Sequence, residues 1–287
     1  MTPGFWGALS ALSLGGTDFL ARFSSRGTGH ANAFFGVLVV GTLGLTIVVA
    51  LGPWHFGWNL SGLWLAALSG AATTVMSLLF YQALARGPVT VVAPIVASHP
   101  AFVILYYMLL GARPDALHWV GIVLALAGGL LVAQQAESAA PTRDGQAGGI
   151  HKTLMLAGAA AVAYAVLAVA GQAAAARSGA MEALWLGRLA SLATIVLLFA
   201  VRGERPRIRA AWLPIIAAQG FLDTGGYLLL LLGVAGAAAG STTAPVTSST
   251  FGAVTTLLAF VFLRERIGPG QWLGIVLVFA GVATLSS

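Results

Sequence analysis

The chain has 287 residues, of which 59% are hydrophobic and only 8% are charged, and its mean hydropathy is +0.93. Because a soluble globular protein carries about 25% charged residues, a surface facing only water is excluded, and lipid must cover much of the molecule. The formal net charge of +6 comes from basic residues scattered through short connections, which favours a membrane protein over nucleic-acid binding. The absence of cysteine excludes disulfides and cysteine metal sites.

Ten apolar stretches are long enough to cross the hydrocarbon layer, which takes about 20 helical residues. In chain order they are residues 4–22, 32–51, 60–85, 88–110, 116–134, 152–174, 183–201, 211–233, 240–263 and 269–286. Turn residues such as Gly268-Pro269-Gly270 separate them, and the first stretch is expected to remain in the protein. The sequence therefore predicts an all-α integral membrane protein of ten transmembrane helices.

The longest polar gap divides these spans five and five. It predicts an N-terminal five-helix half over residues 1–134, a linker over 135–149 and a C-terminal five-helix half over 150–287. The stretches 119–128 and 272–281, 153 residues apart, are identical at seven of ten positions. Because five is an odd number, the second half would insert upside down, and such inverted repeats are typical of secondary transporters.

Four segments also carry a resemblance to a known family. They are Tyr81–Pro88 (YQALARGP), Ala93-Pro94-Ile95, the turn Leu263–Arg266, and the two Trp-x-Gly-Ile-Val-Leu helices. Over nearly its whole length the chain resembles the EamA-type ten-helix members of the drug/metabolite transporter superfamily, although Ala112 stands where that family often has Glu. The resemblance implies a basket-like bundle that exports amino acids, amines or toxic organic compounds.

A charged residue at the centre of a membrane helix costs about 2.5–3.5 kcal/mol. Such residues should therefore face a cavity or a partner. Asp223 lies in the middle of the eighth span, where it either serves a cavity or forms a structural pair with Arg188. Asp18 lies beside a glycine pair in the first span, where it either binds a cation or proton, or caps or pairs near Arg22. Both acids are candidates for substrate binding or coupling.

His99, in the middle of the fourth span, is a candidate proton carrier or a structural residue bonded to a nearby carbonyl. Pro94 and Pro245 occupy matching positions of the two halves, where they predict either hinges beside the cavity or static kinks. Candidates for polar or aromatic lining of the cavity are Gln82, Gln172, Gln219, Tyr81, Tyr164 and Tyr227, although aromatic residues also form interfacial belts.

The sequence has no phosphate-binding loop, no metalloenzyme motif and no nucleophile elbow, so neither an ATP-driven pump nor an enzyme is expected, and no cofactor or metal. The expected partners are a small-molecule substrate, protons and the lipid bilayer, for a monomer or weak homo-oligomer in the inner (plasma) membrane. A multidrug or organic-cation exporter is the main alternative to an amino-acid exporter, ahead of a membrane enzyme or a channel.

Basic residues favour the odd-numbered connections, with Arg202–Arg209 as the densest group. The positive-inside rule then predicts that the odd connections face the cytoplasm and that both termini lie outside. The resemblance implies the opposite orientation, with both termini inside.

Overall fold

The computed structural model describes residues 2–54, 56–111, 113, 115–138, 147–235, 247–265 and 267–285. The helices in these ranges are α1 (Pro3–Thr28), α2 (His30–Leu51), α3 (Leu60–Arg86), α4 (Val89–Ala97), α5 (His99–Leu109), α6 (Ala116–Ser138), α7 (Ala147–Ser178), α8 (Ala180–Val201), α9 (Leu213–Ala235), α10 (Phe251–Leu263) and α11 (Pro269–Leu285). A short 3-10 turn, Ala210–Trp212, precedes α9. Helix therefore continues into both ends of the predicted linker, of which residues 139–146 lie outside the described ranges.

Seven helical segments of the described chain are long and apolar enough to cross a membrane. They are α2, α3, α4 together with α5, α6, α7, α8 and α9, whereas α10 and α11 are apolar but shorter. Helix α1 has 26 residues but carries Asp18, Arg22 and several serines. Leucines on the outside, such as Leu51 and Leu109, are more than four-fifths exposed, as expected for a surface in contact with lipid. The predicted all-helical membrane architecture is confirmed at this level.

Two helix pairs are joined by a single glycine, where the sequence predicted longer gaps. Helix α1 continues six residues beyond its predicted end and meets α2 at Gly29, and α7 likewise meets α8 at Gly179. The two glycines have φ values of +86° and +89°, and each donates its N–H to the carbonyl four residues earlier. This backbone region is open to glycine but costly for other residues, so one residue reverses the chain. Gly29 and Gly179 lie 150 residues apart.

The predicted fourth span, 88–110, is divided into α4 and α5 at Ser98. Pro100 has no N–H to donate to the carbonyl of Val96, so the helical ladder is interrupted there. The ring of His99 replaces that bond, with Nδ1 3.2 Å from the Val96 oxygen. A carbonyl oxygen only accepts, so this contact requires the tautomer with hydrogen on Nδ1.

A matching turn precedes α10 in the second half. Ser98 donates its hydroxyl to the carbonyl of Ile95, and Thr250 donates to that of Thr247, both over 2.7 Å. The two hydroxyl residues lie 152 positions apart, so each half contains a helix that begins anew at the same place. The start of the predicted ninth span, including Pro245, lies outside the described residues.

Pro94 does not interrupt α4, which continues through it to Ala97. The carbonyl that Pro94 leaves without an intrahelical partner belongs to Thr90, and Nε2 of Gln271 from α11 lies 3.4 Å from it. A neighbouring helix therefore satisfies the freed carbonyl, as proline in a membrane helix requires.

The two halves pack through reciprocal contacts. Helix α1 packs against α9, and α3 packs against α7. Thr17 donates to the carbonyl of Gln219 over 3.4 Å, and Ser69 donates to that of Leu167 over 3.1 Å. Since 17 and 167 are 150 residues apart, as are 69 and 219, the second contact repeats the first with the halves exchanged.

Helices α6 and α11 form a seam of glycines at the repeated Trp-x-Gly-Ile-Val-Leu segments. A Cβ atom on Gly128 would lie 2.6 Å from the carbonyl oxygen of Gly274, and one on Gly281 would lie 2.7 Å from that of Gly121. Position 121 is the repeat equivalent of 274, and 128 of 281, so the contact between Gly121 and Gly281 is the same pair as that between Gly128 and Gly274, with the repeats exchanged. The low and high numbers oppose each other, so the helices are antiparallel.

The connections gather at two ends of the bundle. At the basic end, Arg22 donates to the carbonyl of Gly87 in the α3–α4 connection over 2.8 Å, and the N–H of Arg207 donates to Asn32 over 3.1 Å. At the opposite end, Glu182 at the start of α8 accepts the N–H of Gly57 from the α2–α3 connection over 2.9 Å.

Candidate functional site

A cavity of about 430 Å³ lies among α1, α2, α3, α7, α8 and α9, and α4 and α10 each contribute one lining residue. Most of its lining is apolar, including Phe34, Phe80 and Phe251. Its polar lining consists of Thr17, Asp18, Ser69, Thr73, Ser77, Tyr81, Tyr164, Gln172, Arg188, Asp223 and Tyr227. A concave apolar site with a few converging polar groups is the usual form of a small-molecule site.

Helix α3 presents one continuous polar stripe to this cavity. Ser69, Thr73, Ser77 and Tyr81 follow one another at intervals of four residues, which places them on the same face of a helix. Thr73 donates its hydroxyl to the carbonyl of Ser69 over 2.8 Å. Tyr81 was predicted as lining, whereas the three smaller hydroxyls were not, although the four-residue spacing could have revealed them.

Asp223 lies in the cavity wall and forms an ion pair with Arg188. Asp223 therefore both lines the cavity and pairs with Arg188, while its function there stays a prediction. The guanidinium of Arg188 lies 5.3 Å from the ring centroid of Tyr227, close enough for a cation–π contact. The pair carries no net charge, and Tyr227 covers its cation.

Asp18 supplies the second carboxylate of the cavity. Among the described residues no hydrogen bond or ion pair involves its side chain, although the carboxylate lines the cavity. The predicted neighbour Arg22 turns away and pairs with Glu265 at 2.9 Å. The charges of Asp223 and Arg188 cancel each other. An ionised Asp18 therefore gives the cavity a net negative charge.

Gln219 lies behind Tyr81 and does not reach the cavity. Its side chain is fully buried, donates from Nε2 to the Tyr81 hydroxyl, and accepts the hydroxyl of Ser24 over 2.8 Å at Oε1. Because both ends of the amide are bonded, Gln219 fixes the position of Tyr81. The sequence predicted this glutamine as lining, but its geometry is that of a support.

His99 belongs to an aromatic column beside the cavity. Its ring stacks on Tyr164 with centroids 3.8 Å apart, and Tyr164 stacks on Phe251 at 6.2 Å. Tyr164 and Phe251 line the cavity, and His99 lies behind them. Its bond to Val96 matches the structural alternative, and its stacking brings it next to the lining.

Two further candidates lie outside the cavity wall. Gln82 follows Tyr81 but does not line the cavity, and Pro94 lies inside α4. Within the described part of the chain, no group of three or more His, Asp or Glu side chains has the arrangement of a metal site.

These features define a class of protein, a polytopic helical membrane protein with a small-molecule cavity between its helices. The EamA-like transporter family matches residues 1–134 and 151–287. The chain belongs to the EamA-like transporter family and is a multi-pass membrane transporter, as its resemblance predicted.

One relative and one solved structure are similar to this chain. A Sinorhizobium sp. protein described as "Uncharacterized transporter in cobO 3'region" is 32% identical over 136 residues, which cover 45% of this chain and 94% of that protein. A solved crystal structure has a similar fold, with a TM-score of 0.62, 20% identity, and coverage of 98% of this chain and 95% of the other.

Proposed function

We propose that this transporter is a secondary active exporter of small organic amines that works by alternating access. The observation that carries the proposal is the unpartnered carboxylate of Asp18 in a largely apolar cavity. A carboxylate in such surroundings is costly unless a cation accompanies it. A substrate ammonium group or a proton would supply that charge.

Among the substrates expected from the sequence, the charges of the cavity favour amines over zwitterionic amino acids. The carboxylate of an amino acid would need a cation, and Arg188 already pairs with Asp223. A molecule with one positive charge and an apolar or aromatic body matches Asp18 and the surrounding phenylalanines and tyrosines. The same observation also favours the second candidate, an exporter of toxic organic cations.

Alternating access between two inverted halves is supported by the reciprocal contacts. The single-glycine turns at Gly29 and Gly179, the helix breaks at Ser98 and Thr250, and the antiparallel seam all recur at offsets of 150 to 153 residues. We infer ten spans in two halves, 1–134 and 150–287, around the cavity. The hinges proposed for this motion are the α4–α5 break with Pro94 and its counterpart near Pro245.

Outward transport and proton exchange complete the proposal. The family resemblance supports export across the inner membrane, and Asp18 supports exchange because one carboxylate would hold either a proton or the substrate. His99, stacked behind Tyr164, is a further titratable group next to the lining. Both groups would alter the pH dependence of exchange when replaced.

Counterflow in proteoliposomes tests the substrate class. Vesicles loaded with an unlabelled aromatic monoamine should take up the labelled amine, and the matching amino acid should compete at least about tenfold less well, since a charge-assisted hydrogen bond contributes roughly 1.5–3 kcal/mol. Exchange of the zwitterion at equal or better affinity would overturn the amine assignment. Absence of any exchange across monoamines and organic cations would overturn the transport proposal itself.

Two isosteric variants separate binding from structure. Asp18→Asn should reduce amine affinity about tenfold or more at an unchanged Tm, because none of the described residues bonds to this carboxylate. Asp223→Asn should lower Tm, because it leaves the buried Arg188 unpaired at a cost of about 3–5 kcal/mol. Glu204→Gln, on the exposed connection after α8, is the matched control and should change neither quantity. An unchanged affinity in Asp18→Asn is incompatible with the proposal.

A further inference from the structure

A dense polar contact closes the basic end of the bundle. Arg22 of α1 and Glu265 of the α10–α11 connection pair at 2.9 Å. The Oε1 atom of Glu265 accepts the N–H of Val89 over 3.1 Å, and Oε2 accepts the N–H and the hydroxyl of Thr90 over 3.0 and 2.8 Å. Arg22 also donates to the carbonyl of Gly87. We call these five residues the basic-end clamp.

The basic-end clamp joins the two halves at three points. Glu265 belongs to the second half, whereas Arg22 and the start of α4 belong to the first. Both charged side chains are nearly buried, at 14% and 12% exposure, so water screens their attraction little. The carboxylate also faces the positive end of the α4 dipole, which adds to its stabilisation.

The basic-end clamp has no charged counterpart in the repeat. The sequence equivalent of Arg22, 150 residues later, is Gln172, and that of Glu265, 153 residues earlier, is Ala112. The cavity shows the same asymmetry. Its lining extends to Ala175 and Ala180, which flank the turn at the opposite end, and includes none of the clamp residues.

From this asymmetry we infer that the basic-end clamp is a one-sided lock, which holds the basic end closed while the cavity faces the opposite end. The inference rests on the proposed alternating access, because the clamp must open once in each cycle for the substrate to pass. The clamp also makes the state closed at the basic end the resting state, because closing the opposite end would form no equivalent ion pair. Weakening the clamp should therefore shift the population toward the state open at the basic end.

Cysteine accessibility measures this shift without a substrate, and the chain has no cysteine of its own. Ser25→Cys reports on the basic end, because this buried hydroxyl lies one turn beyond Arg22 and has no hydrogen-bond partner among the described residues. Ala180→Cys reports on the opposite end of the cavity. Each is labelled with a polar maleimide in nanodiscs, where both faces are reachable and the orientation in the cell does not matter.

Glu265→Gln in the Ser25→Cys background should raise the labelling rate on the order of tenfold, as expected for loss of one charge-assisted contact. Thr90→Val, which removes the hydroxyl's bonds to Glu265 and Gln271 and keeps both charges, should give a smaller rise in the same direction. It also serves as the second variant if Glu265→Gln does not fold. Arg26→Gln is the matched control, because Arg26 lies on the same helix end and donates only to the carbonyl of Ala85 in the described contacts.

Three results would overturn the lock. The first is a labelling rate at Ser25→Cys that matches the Arg26→Gln control in both clamp variants. The second is an equal rise at Ala180→Cys, which indicates general loosening of the fold. The third is a fall in Tm without any change in accessibility, which indicates a purely structural pair. Failure of counterflow with a normal accessibility shift would instead reject the transport proposal and leave the clamp's conformational role standing.

Discussion

At the scale of single residues, the polar groups of this chain divide into those that face the cavity and those that hold others in place. Asp18 lines the cavity without a bonded partner among the described residues, whereas Gln219 is bonded at both ends of its amide and holds Tyr81. His99 shares features of both groups, because it bonds to the backbone and stacks on a lining tyrosine. A structural role of His99 can be separated from a role in proton transfer by restoring the backbone hydrogen bond to Val96 that Pro100 prevents.

His99→Phe should keep the stacking on Tyr164 and leave the Val96 carbonyl unpaired, at a cost of about 1–3 kcal/mol in stability. Pro100→Ala supplies an N–H four residues after Val96, so the double variant should recover most of that loss in thermal unfolding. If His99 has only a structural role, transport by the double variant should have the same pH profile as transport by the unchanged protein. A flattened profile at recovered stability would identify His99 as a proton carrier.

At the scale of helices, the two halves share their backbone features but not their charged side chains. The repeat equivalents of Asp223 and Arg188, 150 residues earlier, are Thr73 and Leu38. Glycine turns and glycine seams recur because they determine how helices pack. Each half must form the same packing contacts with the other half. Charges do not recur because one cavity needs only one set.

Gly128→Ala should destabilise the protein by about 1–3 kcal/mol through overpacking, since the added Cβ meets backbone atoms of α11 that cannot rotate away. Gly129→Ala is the matched control, because the nearest atom to its Cβ, the Ser98 hydroxyl, is 4.0 Å away. Gly129→Ala should leave the stability unchanged or raise it slightly, because alanine favours the helix more than glycine does. Equal Tm values for the two variants would show that the seam is not close-packed in solution.

Sequence patterns predicted the membrane helices, the family and most of the charged cavity, because long apolar runs are unambiguous and charges inside them are rare. They predicted breaks around Gly29 and Gly179 but not that a single residue makes each turn, because the polar residues just before each glycine continue the helix. They missed the clamp for another reason. Arg22 and Glu265 are each ordinary residues near a helix end, and only folding brings together positions 243 residues apart.

At the scale of the whole molecule, the basic residues gather at the clamped end, and this determines the expected orientation. The positive-inside rule predicts that the basic end faces the cytoplasm and both termini lie outside. The clamp would then close the cytoplasmic side. This prediction remains in conflict with the orientation that the family resemblance implies.

Impermeant maleimide applied to intact cells measures the orientation directly. Ser61→Cys, at the opposite end, should react from outside, and Glu204→Cys, on the exposed basic connection, should react only after permeabilisation. The reverse pattern would assign the basic end to the outside. Reaction of both in intact cells would mean that the chain inserts in two orientations.

The glycine seam of α6 and α11 has a consequence for the origin of the molecule. Because Gly121 meets the counterpart of Gly128, and Gly128 meets that of Gly121, one half needs no new surface to bind an inverted copy of itself. An ancestral gene encoding five helices would already have produced a self-associating homodimer. Fusion of two such genes would have preserved that association and freed each copy to lose or gain charges separately.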